Sequence, residues 1–231
     1  MTTPLELVLF VAVPYMTLLV AIAASIYRFR TDSFSYSSLS SQFLENRKLF
    51  WGSVPFHWGL LAVLAAHLLG VFFPSWVAAF NGVTLRMYFL EVTGLAFALL
   101  ALLGLVNLVV RRIGDSKLQA VTSPMDIVVL LLLAVSLVTG IGIALFHRWG
   151  SDWYWQMAAP YIWSLVLLHP EPQYIASLPV LAQVHVLNFF LLLLVFPFSR
   201  LVHSVTVPIS YLWRPVQLVR WNRRGPAPLR R

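Results

Sequence analysis

Six histidines and no cysteine set the terms for any metal chemistry in this chain. Without a thiol there is no disulfide, no iron–sulfur cluster ligated by these residues, no thiolate-bound haem and no CxxCH attachment of a c-type haem. Four of the histidines, His57, His67, His185 and His203, lie within or at the edge of long apolar stretches, two on one stretch and two on another. Polar groups at membrane depth are costly and tend to be functional. A single such histidine is equally well explained as a helix-to-helix hydrogen bond. Two on each of two helices is a more pointed pattern, because bis-histidine ligation of haem iron needs one imidazole from each side of the macrocycle.

The elements that must position them follow from composition. Of 231 residues, 60% are hydrophobic and 10% charged, against about 25% charged in an average soluble domain. Mean hydropathy is +0.82. Apolar runs of about 20 residues recur, the length that crosses roughly 30 Å of hydrocarbon, and in lipid such runs must be helices because the backbone can bond only to itself. The predicted spans are 5–27, 51–72, 86–110, 125–146 and 178–202. Arg28 and Arg30 close the first, Phe73-Pro74 follows the second, Arg111-Arg112 ends the third and His147-Arg148 the fourth. Ser123-Pro124-Met125-Asp126 reads as the N-cap and first turn of the fourth. The N-terminus lacks the basic region of a signal peptide, so the first span reads as retained. No repeat, low-complexity tract or soluble domain interrupts the sequence, and residues 1–231 read as one all-α membrane domain with a basic tail over 203–231. The connection 147–177, rich in Trp, Tyr and Pro, reads as an interfacial aromatic belt.

The net charge of +8 would suit nucleic acid, but its distribution points to a membrane. Fourteen of the sixteen basic residues, including seven arginines from Arg200 onward, fall on one side of a five-span topology; Arg86 and Arg148 alone fall on the other. The positive-inside rule then predicts an N-terminus outside and a cytoplasmic tail, in contact with anionic lipid or a docked partner protein. This topology pairs the histidines. His57 starts the second span inside, and His67 lies ten residues, about 15 Å, nearer the outside. His185 is the outer and His203 the inner residue of the fifth. Outer pairs with outer, His67 with His185, and inner with inner, His57 with His203, giving two stacked haems. Eighteen residues make five whole turns and place His185 and His203 on one helical face, whereas ten leave His57 and His67 about 80° apart. Helix tilt, a bend at Pro197 or fraying near His203 would absorb the mismatch.

Neighbouring residues extend the pattern. Gly59 and Gly70 could let a flat macrocycle press on the backbone, or serve ordinary small-residue packing. Arg200, Arg111 and Arg112 could pair with haem propionates, although topology also explains them.

Phe196-Pro197-Phe198-Ser199-Arg200-Leu201-Val202-His203, followed by Val207-Pro208 and Tyr211-Leu212, resembles the C-terminal signature of the respiratory nitrate reductase gamma subunit. Ser40-Ser41-Gln42, His57-x-Gly59 and His67-x-x-Gly70 resemble it too, as does the ten and eighteen spacing of the histidines. The resemblance covers almost the whole chain and is weakest over 147–177. It implies a quinol-oxidising cytochrome b anchor of a three-subunit complex in a prokaryotic cytoplasmic membrane, with haem b at His67/His185 receiving electrons from quinol and haem b at His57/His203 passing them to an iron–sulfur beta subunit. That subunit would feed a molybdenum-containing alpha subunit where nitrate is reduced. It also implies a basic quinol-holding residue at the outer start of the third span. Arg86 stands there, where the family pattern has Lys, and the change keeps the charge while altering hydrogen-bond geometry. Glu91 lies outside that pattern and reads as an interfacial charge or a proton acceptor for quinol. Two other readings remain open: a related cytochrome b of a sulfur-cycle or nitrite-oxidising complex, and a cofactor-free transporter or anchor.

Overall fold

The computed structural model describes residues 3–32, 47–147 and 149–205. Ser40-Ser41-Gln42, Val207-Pro208, Tyr211-Leu212, Arg148 and the tail arginines from Arg214 onward lie outside the described residues, as do the side chains of Arg47 and Lys48. The described residues are helical or in turns, with no strand among them, and five helices are long and apolar enough to cross a membrane.

The first span runs over Pro4–Thr31. Thr3 and Glu6 cap its start reciprocally, and a π-helical turn at Val8–Ala12 widens it just before Pro14, which has no N–H to give. The second span, Arg47–Phe72, carries Pro55 within it and stays helical throughout. The third, Thr84–Gly114, is about 46 Å long at 1.5 Å per residue and so outreaches a 30 Å hydrocarbon layer. The fourth, Pro124–Phe146, opens on the predicted cap: the Ser123 side chain accepts from the Asp126 N–H while the Asp126 carboxylate accepts from the Ser123 N–H. The fifth is shorter than predicted. Its α-helix covers Val180–Val195, a 3₁₀ turn follows at Phe196–Phe198, Ser199 is fully extended (φ −116°, ψ 177°), and a second 3₁₀ turn covers Arg200–Ser204. Pro197 removes a donor from the helix and the chain bends there, so the five-whole-turn relation between His185 and His203 does not apply.

Extensive helix packing runs in the order second–third–fourth–fifth–first, and the second and fifth spans are not partners in it. Glycine makes the second–third contact close. A Cβ on Gly59 would sit 2.5 Å from the Phe97 carbonyl oxygen, and one on Gly104 would collide with the backbone N of Phe56. Without an apolar driving force between helices in lipid, such backbone approach supplies the dispersion contact that holds them. At the centre of this layer Phe56, Ala101, Leu105, Val129, Leu133 and Leu137 are buried together.

The connections gather at two ends. At the basic end lie the C-terminus of the first span at Thr31, the short helix Ser116–Ala120 and the segment 199–205. At the aromatic end lie the helix Pro74–Asn81 and the connection 147–177. The latter folds into helices at Gly150–Trp153, Ala159–Val166 and Gln173–Ala176, with a π turn at Tyr154–Ala158. Its aromatic residues pack on the spans as well as facing outward. Tyr161 is fully buried and donates at 2.9 Å to the Phe10 carbonyl, whose i+4 position is Pro14 and offers no N–H. Trp163 donates to the Val71 carbonyl at 2.8 Å, and Tyr15 reaches back to the Leu165 carbonyl at 3.0 Å. Burial drives the Tyr161 hydroxyl far above the usual phenol range.

Candidate functional site

The second and fifth spans meet through their histidines. The imidazole centres of His67 and His185 are 6.4 Å apart, with ring planes inclined by 34°. Those of His57 and His203 are 6.1 Å apart, inclined by 67°. These are the two pairs that topology predicts, one toward each end of the bundle. The first pair is partly buried and the second exposed.

Hydrogen bonding gives each ring one orientation. Nδ1 of His67 lies 2.8 Å from the Val63 carbonyl oxygen, Nδ1 of His57 lies 2.8 Å from that of Ser53, and Nδ1 of His203 lies 2.6 Å from that of Arg200. A carbonyl oxygen only accepts, so Nδ1 carries the hydrogen in each. His185 differs, since its Nδ1 lies 2.8 Å from the Thr139 hydroxyl on the fourth span. The Thr139 hydroxyl donates to the Val135 carbonyl at 2.6 Å, which leaves its oxygen free to accept from His185. All four imidazoles therefore keep the lone pair on Nε2, the form in which imidazole binds a metal.

The spacing fits the same chemistry. Metal–imidazole bonds of about 2 Å on opposite sides of one ion put the ring centres roughly 6 Å apart. Among the described residues no group of three or more His, Cys, Asp or Glu could hold a metal ion, so each pair is a two-ligand set. Such a set suits an iron whose four other positions a macrocycle fills better than a tetrahedral ion wanting four protein ligands.

The predicted neighbours have contacts within the protein. Gly59 turns toward the third span, and a Cβ on Gly70 would meet the Tyr154 ring at 2.6 Å. In both places the open side of the glycine is filled by protein, which is the packing role. Tyr154 donates to the His67 carbonyl at 3.1 Å and sets its ring edge-on to the His67 imidazole, centres 5.0 Å apart. Burial pushes its hydroxyl up to about 12, so it stays a neutral donor.

Arg112 and Arg200 converge on one carboxylate. Asp126, 8% exposed, lies 3.2 Å from Arg112 and 2.9 Å from Arg200, joining the basic ends of the third, fourth and fifth spans. Arg200 also donates to the Val121 carbonyl, and Arg111 is buried at the end of the third span. At the aromatic end Arg86 donates to the Ala79 carbonyl at 3.1 Å and lies 5.4 Å over the Phe80 ring. Glu91 accepts from the N–H and hydroxyl of Ser151, both at 2.8 Å, and so anchors the start of the 147–177 connection. Asn81 extends this network to Ser151 and Asp152. Arg86 and Glu91 thus stand at the same end as the His67/His185 pair, each engaged with a different segment.

Sequence reasoning missed Thr139, Gly140, Tyr154 and Asp126 as residues that support the histidines. A small polar run, Thr139-Gly140-Ile141-Gly142 within an apolar span, was the available signal for the first two.

Comparison with known proteins agrees with this geometry. Residues 6–222 match the family model of the nitrate reductase gamma subunit. The nitrate reductase gamma chain of Bacillus subtilis (strain 168) is 35% identical over 205 residues, covering 87% of this chain and 92% of that one. The respiratory nitrate reductase 1 gamma chain of Escherichia coli (strain K12) is 30% identical over 212 residues, covering 90% and 93%. The nitrate reductase-like protein NarX of Mycobacterium tuberculosis (strain ATCC 25618 / H37Rv) is 33% identical over 214 residues, 90% of this chain but 33% of that longer protein. With five apolar helices long enough to cross a membrane and a family match over nearly its whole length, the chain belongs to the nitrate reductase gamma subunit family.

Proposed function

We propose that this chain is the quinol-oxidising cytochrome b subunit of a membrane-bound nitrate reductase, holding one haem b between His67 and His185 and another between His57 and His203. The observation that carries the reading is the two pairs of imidazoles, with ring centres 6.4 and 6.1 Å apart, each ring keeping its lone pair on Nε2. When bound, the haems would supply the one-electron carriers between quinol and the rest of the complex. The chain's own residues do the remaining work. Nδ1–H bonds to Val63, Ser53, Arg200 and Thr139 stop the rings from turning and raise their basicity as ligands.

In the orientation that the basic end implies, that end faces the cytoplasm and the aromatic end faces outside. Arg86 then offers a cation at the outer side, where it favours a quinol oxygen losing its proton. The exposed His57/His203 pair lies at the cytoplasmic side, where the iron–sulfur beta subunit and the molybdenum-containing alpha subunit would dock.

Pyridine haemochrome quantitation of the purified complex tests the ligand assignment: two haem b per copy of this chain are expected, and one or none sinks it. Sealed vesicles of known orientation test the direction. Quinol-driven nitrate reduction should acidify the original outer side and build a potential positive there. Proton release on the cytoplasmic side, or turnover without charge separation, refutes the orientation.

A further inference from the structure

Three of the four paired histidines take their Nδ1 partner from their own segment, three or four residues back along the chain. His185 takes its partner from another helix. Its Nδ1 lies 2.8 Å from Thr139 Oγ1, and the Thr139 hydroxyl is itself held by the Val135 carbonyl at 2.6 Å and the Ser136 carbonyl at 3.2 Å. Thr139 is buried, 7% exposed, so no bulk water competes for the ring. The next residue, Gly140, clears the space beside it: a Cβ there would lie 3.2 Å from Cε1 of His185 and 3.7 Å from Nδ1. One helical turn further along the fifth span, Asn188 donates to the Leu132 carbonyl at 2.9 Å and to the Ser136 hydroxyl at 2.6 Å, which pins the fourth and fifth spans in register.

The geometry points to Thr139 and Gly140 as positioning residues for the haem between His67 and His185, the threonine setting the tautomer and basicity of His185 and the glycine admitting its ring. The inference rests on the haem assignment proposed above. A hydroxyl that has given its own hydrogen to a carbonyl is a neutral, directional acceptor. It holds the Nδ1–H in place, and through that bond it makes Nε2 a better donor to iron. Better donation favours the oxidised metal, so losing the acceptor raises the reduction potential of that haem and leaves the other alone. At His57 and His203 the shortest Nδ1 contacts are to backbone carbonyls, with the Ser53 hydroxyl a longer second contact to His57 at 3.2 Å, so no side chain from another helix plays the part that Thr139 plays for His185. The aromatic-end haem is the one that a single side-chain change on a neighbouring helix can retune.

The experiment uses the assembled complex carrying Thr139→Val, Thr139→Ser or Gly140→Ala, with haem content measured before anything else. Redox titration at the visible α band and low-temperature electron paramagnetic resonance then report each haem separately, the aromatic-end haem being the one that His67→Ala removes. Thr139→Val should keep both haems, raise the midpoint potential of the aromatic-end haem alone and alter its low-spin signal. Thr139→Ser should restore the wild-type values, and Gly140→Ala should alter the same signal by turning the ring. If Thr139→Val does not assemble, Thr139→Ala carries the same expectation. Fully loaded Thr139 variants with both potentials unchanged, or with equal shifts in both, overturn the inference while leaving the haem assignment intact. A wild-type complex without haem overturns the assignment instead.

Discussion

The guanidinium of Arg200 meets the carboxylate of Asp126 at 2.9 Å, and the backbone carbonyl of Arg200 receives the Nδ1–H of His203 three residues on. Asp126 is buried and also holds Arg112 at 3.2 Å. Its carboxylate is thus the point through which the fourth span fixes the short 3₁₀ turn that carries His203. Removing one partner of a buried ion pair leaves uncompensated charge behind; because both arginines are about a quarter exposed, the cost here is about 2 kcal/mol rather than the full buried value. Asp126→Asn should lower the thermal midpoint of the detergent-solubilised complex and deplete the His57/His203 haem before the other. Equal retention of both haems with an unchanged midpoint would show that the turn holds without the clamp.

The proposed pairing of ligands has a spectral consequence. His67→Ala and His185→Ala should each remove the same haem and abolish its reduction by quinol, and His57→Ala and His203→Ala should remove the other. Difference spectra of the four variants check this directly. Matching losses for His67 and His203 would contradict the pairing.

Arg86 should matter to quinol and not to haem. Arg86→Ala should lower kcat/KM for a quinol analogue by about tenfold, the loss of one charge-assisted hydrogen bond, with both haems in place. Its bond to the Ala79 carbonyl is exposed and contributes little to stability. Unchanged kinetics in a fully loaded variant would leave Arg86 a local tie to the helix Pro74–Asn81.

Tyr154 gives a pH dependence with a definite sign. Its hydroxyl ionises near 10 when unfolded and at about 12 when folded, because burial disfavours the phenolate. Its contribution to stability is therefore complete below pH 10 and is lost as pH rises from 10 toward 12. Tyr154→Phe should cost about 1 kcal/mol at neutral pH, from the lost bond to the His67 carbonyl. It should also flatten the alkaline fall in thermal stability, as measured by unfolding scans across pH 8–12. An alkaline limb as steep as the wild type's would place its cause elsewhere, with Tyr161 the next candidate.

Much of this was legible from residue order. Long apolar runs leave helices as the one choice in lipid, and Arg-rich ends separate the two sides, so five spans and two same-end histidine pairs follow from residue order alone. The Ser123–Asp126 cap was equally local and equally legible. What residue order leaves open is where side chains go once helices choose neighbours. The eighteen-residue spacing implies one continuous helical face, but Pro197 and extended Ser199 break the fifth helix, and the turn carrying His203 is held by Asp126 from another span through Arg200. Gly59 was compatible with a macrocycle or a helix until the third span took that face. Residue order offers Arg112 and Arg200 as propionate partners but does not show that both also reach the buried carboxylate of Asp126, which packing of the third, fourth and fifth spans decides. Helical periodicity and hydropathy act over a few residues and are written in composition, whereas tautomers, ion pairs and the close approach of glycines depend on which helices meet, and that is settled by packing across the whole bundle.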